Sequence, residues 1–404
     1  MNAEPSRAPK NPRPGSQSSL RQHNEQRILN QLGTGPKTQA MLVRATGLSA
    51  GTVSNVVKRL LAEGSARTEP TTSSGRRALN IVLESESANG LGIDFHRDGI
   101  RMAVAAAGQR IIAESSTSTQ APLPAAEAIE LAWSMYQQLL ENHGLSAESI
   151  SAVGVSLAAP IDQRTGLPAS NTILPQWAGV DVAQAVSARF HLPVHVDNDA
   201  NLAALGESLW GGHASTQDMI YVKIDAGIGA GLIFNGQLYR GHIGITGEIG
   251  HATLDDSGLP CRCGNRGCLE THASTGTMLE RLANTPRGPR SVAELLARAA
   301  DGQHATLRVI DDSGSAVGKV LGFISSLVNP ELIVLGGPLA PLGEILLEPV
   351  RRGHARYTTP SIVETTLITT STLGPRAEVL GAAALALHQA QQLARPLSTA
   401  SLQG

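Results

Sequence analysis

The sequence predicts an α/β protein of two similar lobes, preceded by a small, mainly helical module that ends in a β-hairpin. Three observations lead there. Charge is divided unevenly: residues 1–82 carry 12 Lys or Arg against 4 Asp or Glu, whereas the remainder carries 20 against 30. Apolar residues recur at helical spacing between Ser49 and Leu61, then give way to short strand-like runs after residue 88. One design, a strand, a glycine-containing turn and a second strand, occurs twice, in "LGIDFHRDGIRMAV" and "IYVKIDAGIGAGLIF".

Length and composition are compatible with this division. A chain of 404 residues can bury more than one core, and with only 3% aromatic residues those cores must be built from Leu, Ile, Val and Ala. No long apolar run marks a membrane span, and the first twenty residues lack the apolar centre of a signal peptide. A soluble cytoplasmic protein with reduced thiols and no membrane partner is therefore expected.

Residues 1–22 are rich in Pro, Ser, Arg and Asn without apolar periodicity, the composition of a disordered tail. Residues 23–83 read as a winged helix-turn-helix. "NEQRILNQL" fits a short helix, and "KTQAMLVRATG" fits a second one closed by Gly47. Ser49 is placed to cap a third, in which Val53, Val56, Val57, Leu60 and Leu61 form one buried stripe. That stripe leaves Gly51, Thr52, Asn55, Lys58 and Arg59 on the outer side. "SARTEPTTSSGRRALNIVL" follows as two short strands around a Ser-Gly-Arg-Arg tip.

This plan suits double-stranded DNA. Small and polar groups at the start of the third helix, Thr52 and Asn55, let its backbone approach base edges. Lys58, Arg59, Arg76 and Arg77 are the candidates for phosphate or minor-groove contacts. A three-helix interaction module with a solvated basic face is the plainer alternative.

Residues 88–393 read as the two-lobed body, and 394–404 as a frayed end. Between the repeated hairpins lie a helix in "APLPAAEAIELAWSMYQQLLENHG", a strand in "ISAVGVSLAAP", and a strand running into a helix in "HLPVHVDNDANLAALGESLWGG". Two lobes of this kind enclose a cleft, and ligands bind beyond their strand ends.

All three cysteines, Cys261, Cys263 and Cys268, fall in "GHATLDDSGLPCRCGNRGCLETH". Thiolates at this spacing can wrap one Zn2+ ion, which takes four tetrahedral ligands. Spacing alone leaves the fourth open between His251 and His272. With three thiolates and an imidazole the site would be closed and structural.

"GEIGH" at 247–251 followed by "CRCGNRGCLE" at 261–270 resembles the signature of ROK proteins, a family of repressors, open reading frames and sugar kinases. The resemblance runs over nearly the whole chain from about residue 23, including the DNA-binding module of the repressor branch. It implies an actin-like, RNase-H-type duplicated α/β fold. It also implies one structural zinc per chain on His251, Cys261, Cys263 and Cys268, in a loop spanning 251–268, with His272 the second choice. It further implies a sugar site made by Asn171, Asn198, Asp199, Glu248, His251 and Glu270. Fixed carboxylates, amides and an imidazole are suitable partners for vicinal hydroxyls. Helix capping is the plainer role for Asp199 and Glu270.

Asp199 matches the position that is the general base in the family's kinases. The phosphate loops depart from the kinase pattern. In Asp94-Phe95-His96-Arg97-Asp98, His96 stands in place of a glycine and Asp98 in place of a threonine. In "DAGIGAG", Asp225 and Ala226 replace Gly and Thr. A carboxylate beside a triphosphate costs affinity, about 1 kcal/mol or more for a close, partly buried pair. The expectation is therefore a sugar-responsive transcriptional regulator, most simply a repressor, acting as a homodimer or dimer of dimers without productive ATP binding. The competing expectations are an ATP-dependent sugar kinase carrying a DNA-binding module, and a sugar-binding protein that never meets DNA.

Overall fold

The structure, a computed structural model, describes residues 24–393 apart from 26, 30, 33–35, 63–65, 74–75, 84–88, 107–109, 169–173, 215 and 286–287. The expected tails at 1–22 and 394–404 and the sugar-site candidate Asn171 lie outside the described residues. The chain forms two compact units, one ending with strand Arg76–Leu83 and one running from strand Asn89–His96 to helix Ala377–Leu393.

In the first unit the described residues between 24 and 32 are helical, followed by helices Gln39–Thr46 and Ala50–Ala62. The second helix begins two residues later than "KTQAMLVRATG" suggests. Lys37 and Thr38 instead pair antiparallel with Ile81 and Asn80, and Thr38 Oγ1 then accepts from Met41 N to cap the helix. Gly47, at φ +66°, ends that helix in the left-handed conformation. Ser49 caps the third by accepting from Thr52 N at 3.1 Å. Strands Ala66–Ser73 and Arg76–Leu83 form the hairpin, with Lys37–Thr38 completing a three-stranded sheet. The core joins Ile28, Leu32, Leu42, Val53, Val56, Val57, Leu60 and Ile81. Each such buried aliphatic side chain stabilises the unit by about 1.5–3 kcal/mol.

The second unit contains two five-stranded sheets of identical order. In lobe 1, strands Asn89–His96, Gly99–Ala106 and Arg110–Ser118 run as a meander, and Ile150–Leu157 and Val194–Asn198 add on parallel beside the first of them. In lobe 2 the meander is Met219–Ile224, Ile228–Phe234 and Gln237–Tyr239, extended in parallel by Leu332–Gly336 and Leu367–Thr370. The repeat is thus deeper than the two-strand hairpins legible in the sequence: three strands and two returns are duplicated.

The helix that closes each lobe packs on the sheet of the other. Helix Asp199–Trp210 follows the last strand of lobe 1 and lies on strands Met219–Ile224 and Ile228–Phe234 of lobe 2. Helix Ala377–Leu393 follows the last strand of lobe 2 and lies on strands Asn89–His96 and Ile150–Leu157 of lobe 1. Glycine permits both seats. A Cβ on Gly154 would stand 1.9 Å from Ala382 O, and one on Gly231 would stand 2.3 Å from Ala200 O. The outer sheet faces carry helices Ala125–His143 and Val182–Phe190 in lobe 1, and Thr275–Ala283, Val292–Ala300, His304–Val328 and Glu344–Arg356 in lobe 2. Among the described residues no helix is long and apolar enough to cross a membrane.

Candidate functional site

The four candidate metal ligands converge. The ligand atoms of His251, Cys261, Cys263 and Cys268 all lie within 4.8 Å of one another. A tetrahedral ion with bonds of about 2.3 Å to sulfur and about 2.0 Å to nitrogen sets sulfur–sulfur edges near about 3.8 Å and sulfur–nitrogen edges near about 3.5 Å. The Cys263–Cys268 sulfurs are 3.7 Å apart, and Cys261 Sγ is 3.5 Å from His251 Nδ1. The residues therefore fit one such ion. His272, left open by spacing, lies outside the cluster.

The loop reaches this shape through close backbone contacts. Cys261 N donates to Asn265 O, and short bridges pair Thr253 with Cys268 and Pro260 with Arg266. Gly267, at φ +57°, passes so near Asp255 that a Cβ would stand 1.7 Å from its carbonyl. Burial, with the neighbouring thiols, pushes the Cys268 thiol up to about 12. A backbone hydrogen bond from Asn265 instead lowers Cys263. A bound cation would remove the conflict by favouring the thiolates.

Gly247, at φ +99°, brings the preceding loop onto strand Ile228–Phe234, where Ala230 N donates to Gly247 O at 2.8 Å. This delivers Glu248 and His251 to the junction of the lobes. His251 turns Nδ1 to the thiols and Nε2 toward Glu248 Oε2, 3.8 Å away. Burial, then the nearby Asp199 and Glu270 carboxylates, pushes Glu248 up to about 7. Those three carboxylates and His251 therefore share one locality.

Their commitments differ. Glu270 is buried, accepts from Ile228 N at 3.2 Å and pairs through the same oxygen with Arg262. Asn198 is spent as a helix cap: its Oδ1 accepts from Ala200 N and Asn201 N, and its Nδ2 donates to Ala159 O and Asp199 Oδ1. Asp199, the first residue of that helix, is held by Lys223, whose Nζ is 2.8 Å from Asp199 Oδ2 and 2.9 Å from Glu378 Oε1. The Asp199 and Glu378 carboxylates outweigh the burial that would discharge Lys223, so its pKa stands well above the ordinary value. Only Glu248 of this set has a largely unclaimed carboxylate, with its side chain 38% exposed.

Lys223 was not singled out by its sequence context. It sits in an apolar strand, 24 residues from Asp199 and 155 from Glu378, and no local pattern announces those partners.

At the hairpin before the first departure, Asp94 is buried and accepts from Ser156 Oγ at 2.7 Å and Arg101 at 3.1 Å. His96 Nδ1 accepts from Asp98 N at 3.3 Å, and burial lowers the pKa of the ring. In the other hairpin, Asp225 N donates to Gly227 O and Ile228 N to Glu270.

On the first unit Asn55 and Lys58 are exposed, while Thr52 is half-buried with its hydroxyl 2.9 Å from Ser49 Oγ. Arg59 pairs with the buried Glu25 at 2.6 Å and so ties the third helix to the first. Arg76 and Arg77 open the second hairpin strand opposite Ser73 and Thr72; the adjoining tip, 74–75, and both arginine side chains lie outside the described residues.

Residues 90–389 match the ROK family and residues 23–77 the MarR family. The xylose repressor of Bacillus spizizenii is 28% identical over 378 residues, covering 92% of this chain and 97% of that protein. A solved ROK family transcriptional regulator, described as a homolog of the E. coli Mlc protein, superposes with a TM-score of 0.74. It covers 93% of this chain and 98% of the other at 22% identity, a likeness of fold. A ROK family glucokinase from Streptomyces griseus, solved with glucose and AMPPNP, superposes with a TM-score of 0.63 at 26% identity, covering 74% and 99%.

Proposed function

This chain belongs to the ROK family, and from that premise we propose that it is a sugar-responsive, DNA-binding transcriptional repressor of the cytoplasm. One observation carries the reading: a MarR-type module and a ROK body stand in one chain whose match to a xylose repressor runs nearly end to end. The first unit, residues 23–83, binds operator DNA with Thr52, Asn55 and Lys58 toward the bases and backbone and Arg76 and Arg77 on the wing. Arg59 is reassigned, because its ion pair with Glu25 makes it a brace for the third helix. The protein acts as a homodimer or dimer of dimers, since a symmetric operator calls for paired modules.

The effector is a sugar or close derivative held at residues 88–393. Glu248 and His251 offer it groups with spare capacity, while Asp199 and Glu270 define the polar floor and Asn198 fixes the helix start that positions Asp199. Asn171 is retained as a further candidate. One Zn2+ per chain on His251, Cys261, Cys263 and Cys268 would supply a closed structural knot and no activated water. His251 is thereby fixed in ring orientation, with its second nitrogen facing Glu248 and the sugar. Only a sugar that favours one arrangement of the lobes can shift the DNA-binding state.

Phosphotransfer is not part of this function. A general base must accept a proton from the attacking hydroxyl, and Asp199 is already committed to an ion pair with Lys223. The Asp98 amide, which would face an incoming phosphate, is occupied by His96. The likeness to a glucokinase keeps an alternative in view, a kinase bearing a DNA-binding module. The full chain should be melted with hexoses and pentoses, and assayed for phosphate transfer from ATP to the same panel. Stabilisation by one sugar without turnover is the expected result; turnover at a kinase-like rate would replace this reading by the alternative. Binding to the chain's own promoter region should fall on Arg76→Ala with Arg77→Ala across sequences, with a salt slope shallower by about 2.

A further inference from the structure

We propose that lobe 2 carries a second ligand site, away from the sugar residues, that binds a small phosphorylated metabolite. A cavity of about 380 Å3 opens between the zinc-loop stretch and helices His304–Val328 and Glu344–Arg356. Its size lies in the range of small-molecule sites. Leu254, His272, Lys319, Arg352, Arg356 and Tyr357 are among its lining residues.

The lining contains three permanent cations and no carboxylate. Arg352 is held from outside by Asp311 and Glu348, which fixes its guanidinium and more than offsets its charge. Among the described residues neither Lys319 nor Arg356 has an acidic partner. Lys319 Nζ instead stands 5.2 Å above the Tyr357 ring. Lys319 and Arg356, beside a guanidinium fixed in place, form a receptor for a phosphate group. The cavity exceeds the size of a bare phosphate and offers the Tyr357 ring and Leu254 to an attached carbon body.

The site is independent of the proposed sugar residues, none of which lines it among the described residues. It does share the stretch that bears the metal ligands: His272 O accepts from Ser313 Oγ of the long helix at 3.0 Å. A phosphate monoester bound here would press on the segment that carries the zinc cluster, giving the protein a second metabolic input.

The test is calorimetric titration of the full chain with inorganic phosphate and with a pentose 5-phosphate. Wild type should bind saturably, whereas Lys319→Gln with Arg356→Gln should bind at least about tenfold more weakly. Melting curves of the double variant check that the fold is intact; Arg356 is exposed and Lys319 half-buried with no acidic partner among the described residues, so little loss is expected. Two results would overturn the site: no saturable binding below about 10 mM, or equal binding by the double variant. A double variant that changes the sedimentation state and leaves phosphate binding untouched would show a contact between copies of the chain instead.

Discussion

The two lobes share a sheet order and differ in what is inserted into it. In lobe 1 the third and fourth strands are joined by the single long helix Ala125–His143; in lobe 2 the same connection holds residues 240–331, including the thiol cluster and four helices of the outer face and its rim. Sheet order follows from local pairing and short returns, so it survives such insertions. The thiol cluster does not repeat, because it resides in the inserted loop. The lobes are nonetheless bound to each other by exchanged closing helices, and Lys223 meets a carboxylate in the first turn of each. Those carboxylates also sit favourably against the helix dipoles.

The largest expected effect tests the asymmetry. Cys263→Ser should lower bound zinc from about one ion per chain to none and abolish the sugar response. Because ligand binding free energy is folding free energy, several kcal/mol of stability should be lost. Hydrogen exchange should quicken around residues 249–283 and leave the strands of lobe 1 protected. Metal analysis finding full occupancy in that variant would remove Cys263 from the ligand set.

Next comes the element common to both lobes. Lys223→Met leaves the half-buried Asp199 and the buried Glu378 carboxylates without their cation and should cost about 3–5 kcal/mol in urea unfolding. Adding Asp199→Asn and Glu378→Gln should restore most of it; no recovery would mean that the lysine acts through packing alone.

The helix exchange is tested by a matched pair. Gly154→Ala and Gly231→Ala should each destabilise by about 1–3 kcal/mol, since each Cβ meets a backbone carbonyl that cannot move aside freely. A cost in one lobe and none in the other would show that only one seat is tight.

The smallest effect is a shared acid sensitivity. His195 in lobe 1 and His354 in lobe 2 are both depressed by burial, and His354 Nε2 lies 2.9 Å from Ser325 Oγ. A depressed imidazole leaves the unfolded chain binding more protons below its ordinary pKa of about 6.5. Stability should therefore be full above that value and fall as pH drops below it. His354→Gln should flatten the slope measured between about pH 5 and 6.5.

Much of the fold was legible because its signals are short in range. The Val53–Leu61 stripe, the caps Ser49 and Gly47, and the repeated hairpins each lie within one short stretch of chain. Strand Lys37–Thr38 was not, since it exists only by pairing with Asn80 and Ile81. The third strand of each meander was hidden in the same way, being defined by its neighbour rather than by its own pattern.

The candidate site divides similarly. The thiol spacing and turn glycines already pointed to a loop that could hold a metal; spacing left His251 and His272 open, and the converging ligand atoms agree with the resemblance in favouring His251. The sequence marked Asn198, Asp199 and Arg59 as polar groups of interest but not what each would face. Asn198 turned inward as a cap, Arg59 found Glu25, and Asp199 found Lys223. By itself, then, the sequence determined the periodicities, caps, turns and thiol cluster, because these depend on backbone preference and neighbours a few residues away. Which charge neutralises which, and hence which carboxylate stays free to meet a ligand, was decided only when distant segments packed. Burial makes an unpaired charge costly, and the chain's path fixes the partner within reach.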